Sequence, residues 1–328
     1  MKHLFIISQL LFLYSCCNKP ESTIRIWNYD DFIKKDVKMS DIADEMTIIQ
    51  PDSIDYKGAR IVHASSFFLA GTEQGILKYN NQGHFIGRIG AIGQGPGEYS
   101  RFYAMAINET ERIIYVYRMN TSELLSFSYE GTFLNKHSLQ LPKKWAWSFY
   151  YLKDKFYSYY CVDADNESQP YMYAITDTMG NLLSSKRDES LHFASGSYPS
   201  FPSDHLGIYG DTMLVWSQYS DTIYRVSEKE EEAFAIWGEW DKRLTPAKVE
   251  NDAYEQSMII STIVETVHYY LCIWRPAGIM WNQWNYCFYD KSSGKLFNSE
   301  GITDDLWGLP SIFPYNYYVM VGMWLSYL

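Results

Sequence analysis

Gly87-Arg88-Ile89-Gly90-Ala91-Ile92-Gly93-Gln94-Gly95-Pro96-Gly97-Glu98-Tyr99-Ser100-Arg101-Phe102 begins as the end of a strand and becomes a run with glycine at 90, 93, 95 and 97. Glycine permits positive φ and close backbone approach, while proline fixes its own φ and has no N–H to donate. Such a run is neither helix nor the middle of a sheet. It reads as a shaped crossover that ends one four-stranded unit and feeds the next, carrying Glu98, Tyr99 and Arg101. Phosphate-binding loops need G-x-G-x-x-G ahead of a helix, or G-x-x-x-x-G-K-[ST]. Neither spacing occurs, Tyr103 to Tyr117 reads as strand, and Glu98 would repel an anion. The structural reading is an inter-blade connection; the functional one adds that Glu98 and Arg101 face a ligand.

Outward from this loop a repeat appears. An apolar strand runs into a polar turn, usually with glycine, and another apolar strand follows. Instances are Leu77 to Ile86 around Gly83, Phe127 to Leu134 around Gly131, and Tyr173 to Leu183 around Gly180. Thr222 to Ile236 turns near Lys229 without glycine, and Cys287 to Phe297 turns at Gly294. The steps between turn centres are 48, 49, 49 and 65 residues. A steady period of roughly 40–50 residues, one four-stranded sheet per repeat, is the signature of a bladed architecture. The long step holds a helix, with Thr245 as N-cap and Pro246 at its first position, expected to run to about Ile259. Five repeats fit between 59 and 300. Strand-like pieces at 24–50 and 311–328 would share a sixth blade and remove two free sheet edges. The expectation is an all-β, six-bladed β-propeller over 24–328, its last blade shared by the two chain ends and shortened.

Composition agrees. Aromatic residues make up 17% of the 328, which suits half-buried pleated strands. A net charge of −11 argues against a nucleic-acid partner, which requires a basic stripe. At the N-terminus, Met1-Lys2-His3 precedes an apolar run from Leu4 to Leu13, too short to span a bilayer but suited to a signal peptide. Leu13-Tyr14-Ser15-Cys16 resembles the bacterial lipobox, whose cysteine is acylated. The expected organisation is a signal peptide over 1–15, a lipidated tether over 16–23 anchored at Cys16, and one propeller domain. Of the body cysteines Cys161, Cys272 and Cys287, the last two sit on neighbouring strand-like runs and read either as a cross-strand pair or as buried free thiols. The seven histidines show no metal-ligand spacing, so neither a metal nor a cofactor is expected.

The chain resembles a lipoprotein family of Bacteroides-type bacteria, six-bladed β-propellers related to NHL and TolB-like propellers. The resemblance rests on the lipobox, on Ser40-Asp41-Ile42, and above all on Gly93-Gln94-Gly95-Pro96-Gly97-Glu98-Tyr99. Ser220-Asp221-Thr222-Ile223-Tyr224-Arg225, Glu265-Thr266, Tyr289-Asp290 and Gly301-Ile302-Thr303-Asp304-Asp305 extend it to about Pro314. It implies a fold and a compartment, the cell envelope, and no reaction. The tether lacks an acidic cluster, which favours an outer-membrane lipoprotein on the periplasmic face.

Two functions follow. The first is a non-catalytic binding module for a glycan, peptide or envelope protein. Its ligand face would draw on Arg88, Glu98, Tyr99, Arg101, Arg118, Glu265, Arg275, Trp281, Trp284 and Asp304. Inter-blade salt bridges and aromatic packing are the structural reading of the same residues. The second is a glycan-cleaving hydrolase or lyase using paired carboxylates from Glu98, Glu265, Asp304 and Asp305, which requires two acids to converge with one kept protonated.

Overall fold

The computed structural model describes residues 25–42, 49–52, 60–100, 103–119, 121–143, 146, 148–160, 171–188, 206–210, 212–227, 230–238, 242–278 and 284–306. Each repeat seen in the sequence is one antiparallel sheet. The first blade is Arg60–His63, Phe67–Thr72, Gly75–Asn80 and Phe85–Ile89. The second is Tyr103–Asn108, Ile113–Arg118, Glu123–Ser128 and Phe133–Ser138, and the third Ser148–Leu152, Lys155–Tyr159, Tyr171–Asp177 and Leu182–Arg187. The fourth is Leu206–Tyr209, Thr212–Val215, Thr222–Val226 and Glu231–Trp237. The fifth is Met258–Glu265, Tyr269–Pro276, Asn285–Asp290 and Leu296–Ser299. First strands of blades one and two, two and three, and four and five lie against one another, so the first strand is the inner one.

The core lies between blades. Leu69, Ile76, Ile114, Val116 and Phe127 join the first to the second. Tyr117, Leu124, Phe149 and Phe156 join the second to the third, and Tyr157, Tyr173, Met213 and Val215 the third to the fourth. Between the fourth and fifth, Trp216, Phe234, Ile260, Ile263 and Trp274 form the largest cluster. Gln218 adds a polar clasp there: its side chain donates to Ile260 O at 2.6 Å and accepts from Ile260 N–H at 3.1 Å. That pair sits beside a bulge at Ile260/Thr262, where the ladder alone leaves backbone groups without partners.

The repeat glycines have two causes. Gly83, Gly131 and Gly180 all take positive φ, between +86° and +91°. A Cβ on each would also stand 2.7, 2.5 or 2.3 Å from a backbone oxygen just before it in the ring, that of Gln50, Arg88 or Ser138 respectively. The third–fourth strand turns of the second and third blades thus abut the last strand of the preceding blade, and that of the first abuts Gln50, each too closely for a side chain.

Two expectations are corrected. The sequence assigns the N-terminal pieces at 24–50 to a sixth blade shared with 311–328, but two of their strands extend other blades instead. Arg25–Trp27 adds in parallel to the outer strand of the fourth blade, and Ile33–Lys34 to that of the fifth. Trp27 enters the inter-blade core and Arg25 lies over the Phe234 ring at 4.6 Å, so burial there outweighs a separate blade. Among the described N-terminal strands, Val37–Lys38 alone lies beyond the fifth blade, paired with Ile302–Thr303. The expected C-terminal strand at 311–328 lies outside the described residues. The helix is Pro246–Glu250, capped by Thr245 as expected but much shorter. Asn251 caps its end through Ala247 O, Asp252 turns to φ +53°, and Met258 already starts a strand.

Candidate functional site

The glycine-rich crossover is held together by its own groups. Ala91–Ile92 pairs in parallel with Glu98–Tyr99, and Gly93 N–H donates to Tyr99 O. The Glu98 carboxylate accepts from Gly95 N–H at 2.7 Å. Tyr99 is buried; its hydroxyl donates to Ile89 O at 2.8 Å and accepts from Ile76 N–H at 2.9 Å. Burial pushes its pKa up. Gly97, at φ +73°, presses on Phe133 of the second blade. Glu98 and Tyr99 therefore shape the loop that bridges the first two blades, which is the structural reading of this motif. Arg101 lies outside the described residues.

The other expected residues disperse. Arg88 donates to Gln74 O at 3.0 Å. Arg118 pairs with Glu123 at 2.7 Å, and Lys136 approaches the same carboxylate, also at 2.7 Å. Arg275 is buried and donates to Pro276 O, its pKa lowered by desolvation. Glu265 stands at the other end of the same hairpin, since Arg275 faces Ile259 and Glu265 faces Tyr270. Six residues of strand separate those ends, roughly 20 Å. Glu265 is buried between Arg225 at 3.1 Å and Lys291 at 2.9 Å, and Arg225 donates to the Tyr270 hydroxyl. This cluster ties the fourth blade to the fifth. Trp284 is buried with Val37, Ile273 and Tyr286, while Trp281 and Cys16 lie outside the described residues. Asp304 is buried and accepts from Leu306 N–H. Asp305 accepts from both the N–H and the hydroxyl of Ser40, so two motifs 265 residues apart meet. Paired carboxylates from Glu98, Glu265 and Asp304–Asp305 are thus each engaged in a separate structural task.

A concave site lies elsewhere, between the third and fourth blades. A cleft of about 490 Å³ is lined by Tyr171, Met172, Ser185, Lys186, Arg187, Asp188, Ser220 and Tyr224. Lys186 sits over the Tyr224 ring at 4.0 Å and bonds Glu231, whose other oxygen accepts from Tyr173. Arg187 lies 5.6 Å from the Tyr171 ring centre. The lining is mostly hydroxyl, cation and carboxylate, with two aromatic rings as walls. It is in the size range of small-molecule sites but more polar than most of them. Sequence reading missed it because the walls come from strands some 50 residues apart. The signal was the adjacent pair Lys186-Arg187 closing an outer strand in an acidic chain.

No curated protein matches the chain. Its fold is similar to that of a Bacteroides fragilis protein described as exported, at 18% identity and a TM-score of 0.61, over 84% of this chain and 80% of that one. It is also similar to a DUF4221 family member from Bacteroides vulgatus, at 10% identity and a TM-score of 0.50, over 74% of this chain and 80% of the other. Residues 24–327 match the family described as a domain of unknown function, DUF4934. With its bladed all-β fold and a match across nearly its whole length, the chain belongs to the DUF4934 family.

Proposed function

We propose that this protein is a lipid-anchored propeller of the cell envelope, a non-catalytic module that binds a hydroxyl-rich ligand, an oligosaccharide first among candidates. The observation that carries the reading is the polar cleft between the third and fourth blades. Seryl hydroxyls and the ends of Lys186 and Arg187 offer hydrogen bonds to a sugar, and Tyr171 and Tyr224 offer ring surface. A hydrolase would need a carboxylic acid with a raised pKa. It would also need two carboxylates converging in one cleft, whereas Asp188 is the only carboxylate among the described residues that line this one.

Envelope placement is supported by the apolar N-terminal run, the Leu-x-Ser-Cys ending at Cys16, and the exported Bacteroides fragilis relative in fold. A sixth blade is supported by apolar surfaces on both sides of the place it would fill. Val37, Met39 and Ile302 cover the fifth blade, and Ile49 packs on Phe68 and Tyr79 of the first. The test is retention of immobilised glycans and peptides, with product analysis of every hit. Retention without product, weakened by Arg187→Ala, supports the reading. Product formation overturns it.

A further inference from the structure

Cys272 and Cys287 face each other directly in the register of the fifth blade's second and third strands. Opposed residues of an antiparallel pair have Cα atoms roughly 4.5–5.5 Å apart. That lies within the range of about 4.4–6.8 Å that a disulfide spans. Both side chains point to the same side, into the core shared with the fourth blade. Both are buried. The Cys287 sulfur accepts from the Trp274 indole N–H at 3.0 Å, and its thiol points to the Asn298 side-chain oxygen at 3.7 Å. A metal site would need more ligands, and among the described residues no three His, Cys, Asp or Glu converge.

We propose that Cys272 and Cys287 form a cross-strand disulfide in the exported protein, fastening the hairpin of Tyr269–Pro276 and Asn285–Asp290. The proposal rests on the envelope reading above, because only an oxidising compartment keeps such a bond. The chemistry is exchange with a donor disulfide, either a dithiol oxidase or oxidised glutathione. One cysteine thiolate attacks a donor sulfur and forms a mixed disulfide. The second displaces the donor, so the two protein thiols lose two protons and two electrons and the donor leaves as thiol. Burial pushes the Cys272 thiol up and the Cys287 thiol to about 12, so neither is nucleophilic once the blade has closed. The bond therefore forms while the hairpin is still open, and in the folded blade it is shielded from reductants.

The test is a thiol map of the full chain, exported by its own N-terminal segment, denatured in an alkylating reagent before any reduction and digested. The expected result is one linked peptide pair joining Cys272 to Cys287, absent from the Cys272→Ser variant. Alkylation of both thiols in protein recovered from the envelope would overturn the proposal, as would a bridge from either one to Cys161. If fractionation finds the chain in the cytoplasm, the envelope reading fails on its own. The reduced chain refolded with oxidised glutathione then decides the pairing: closure of this pair supports it and two free thiols overturn it.

Discussion

Gly180→Ala tests the ring itself. At φ +91° an alanine costs about 1–2 kcal/mol of backbone strain. Its Cβ would lie 2.3 Å from Ser138 O, a backbone atom that cannot rotate away. Separating the two segments also loosens the bond from Gln140 N–H to Gly180 O, now 2.8 Å, for about 1 kcal/mol net. With about 1 kcal/mol or more of local displacement, the expected loss is about 3–5 kcal/mol. Gly294→Ala is the internal control. It has a similar φ, +68°, but its nearest neighbour is the Tyr289 hydroxyl at 3.7 Å, so it should lose only the strain of about 1–2 kcal/mol. Urea unfolding followed by tryptophan fluorescence compares the two, with m-values checked for a common transition. Equal losses would refute the close approach of the second and third blades at this turn.

Other outcomes follow from individual contacts. Gln218→Leu should cost about 1–3 kcal/mol, because it strands the Ile260 backbone groups at a buried bulge, with urea midpoints as the measure. Glu265→Gln should cost about 2–4 kcal/mol by leaving Arg225 and Lys291 facing each other, yet leave ligand retention unchanged. Asp290 has a pKa of about 2, held down first by the Ser292 hydroxyl and then by N–H groups of its turn. Its folded pKa lies below the unfolded value, so its stabilisation is complete above about pH 4 and is lost as pH falls through 2. Acid unfolding curves of wild type and Asp290→Ala should therefore converge at the acid end of that window, and a gap that persists at lower pH would count against the assignment.

Much of the fold could be read in the sequence because each blade announces itself locally. A polar turn between two apolar strands recurs at a nearly fixed step, and at Gly83, Gly131 and Gly180 the backbone needs glycine both for its φ and for a close approach to a neighbouring backbone oxygen. The crossover was legible for the same reason, since its proline and glycines exclude a helix and the middle of a sheet, leaving only a two-residue strand pair at its ends. What was not legible depends on partners distant in the chain. Nothing in Arg25-Ile26-Trp27 says that it pairs with Ala235 to Trp237 rather than with the C-terminus. The expected site residues were polar groups at loop ends. In the folded chain most of them satisfy backbone groups or each other, as Glu98 does with Gly95 and Asp305 with Ser40. The cleft escaped because Tyr171, Arg187 and Tyr224 become neighbours only when the third and fourth blades pack.

The most direct test of the binding reading is calorimetric titration of the best-retained glycan into wild type, Arg187→Ala and Glu98→Gln, with the spent mixtures analysed for product. The prediction is saturable binding to wild type, an affinity at least about tenfold weaker in Arg187→Ala from loss of a charged hydrogen bond, no change in Glu98→Gln, and intact glycan throughout. Cleaved glycan, or equal affinity in wild type and Arg187→Ala, would contradict it.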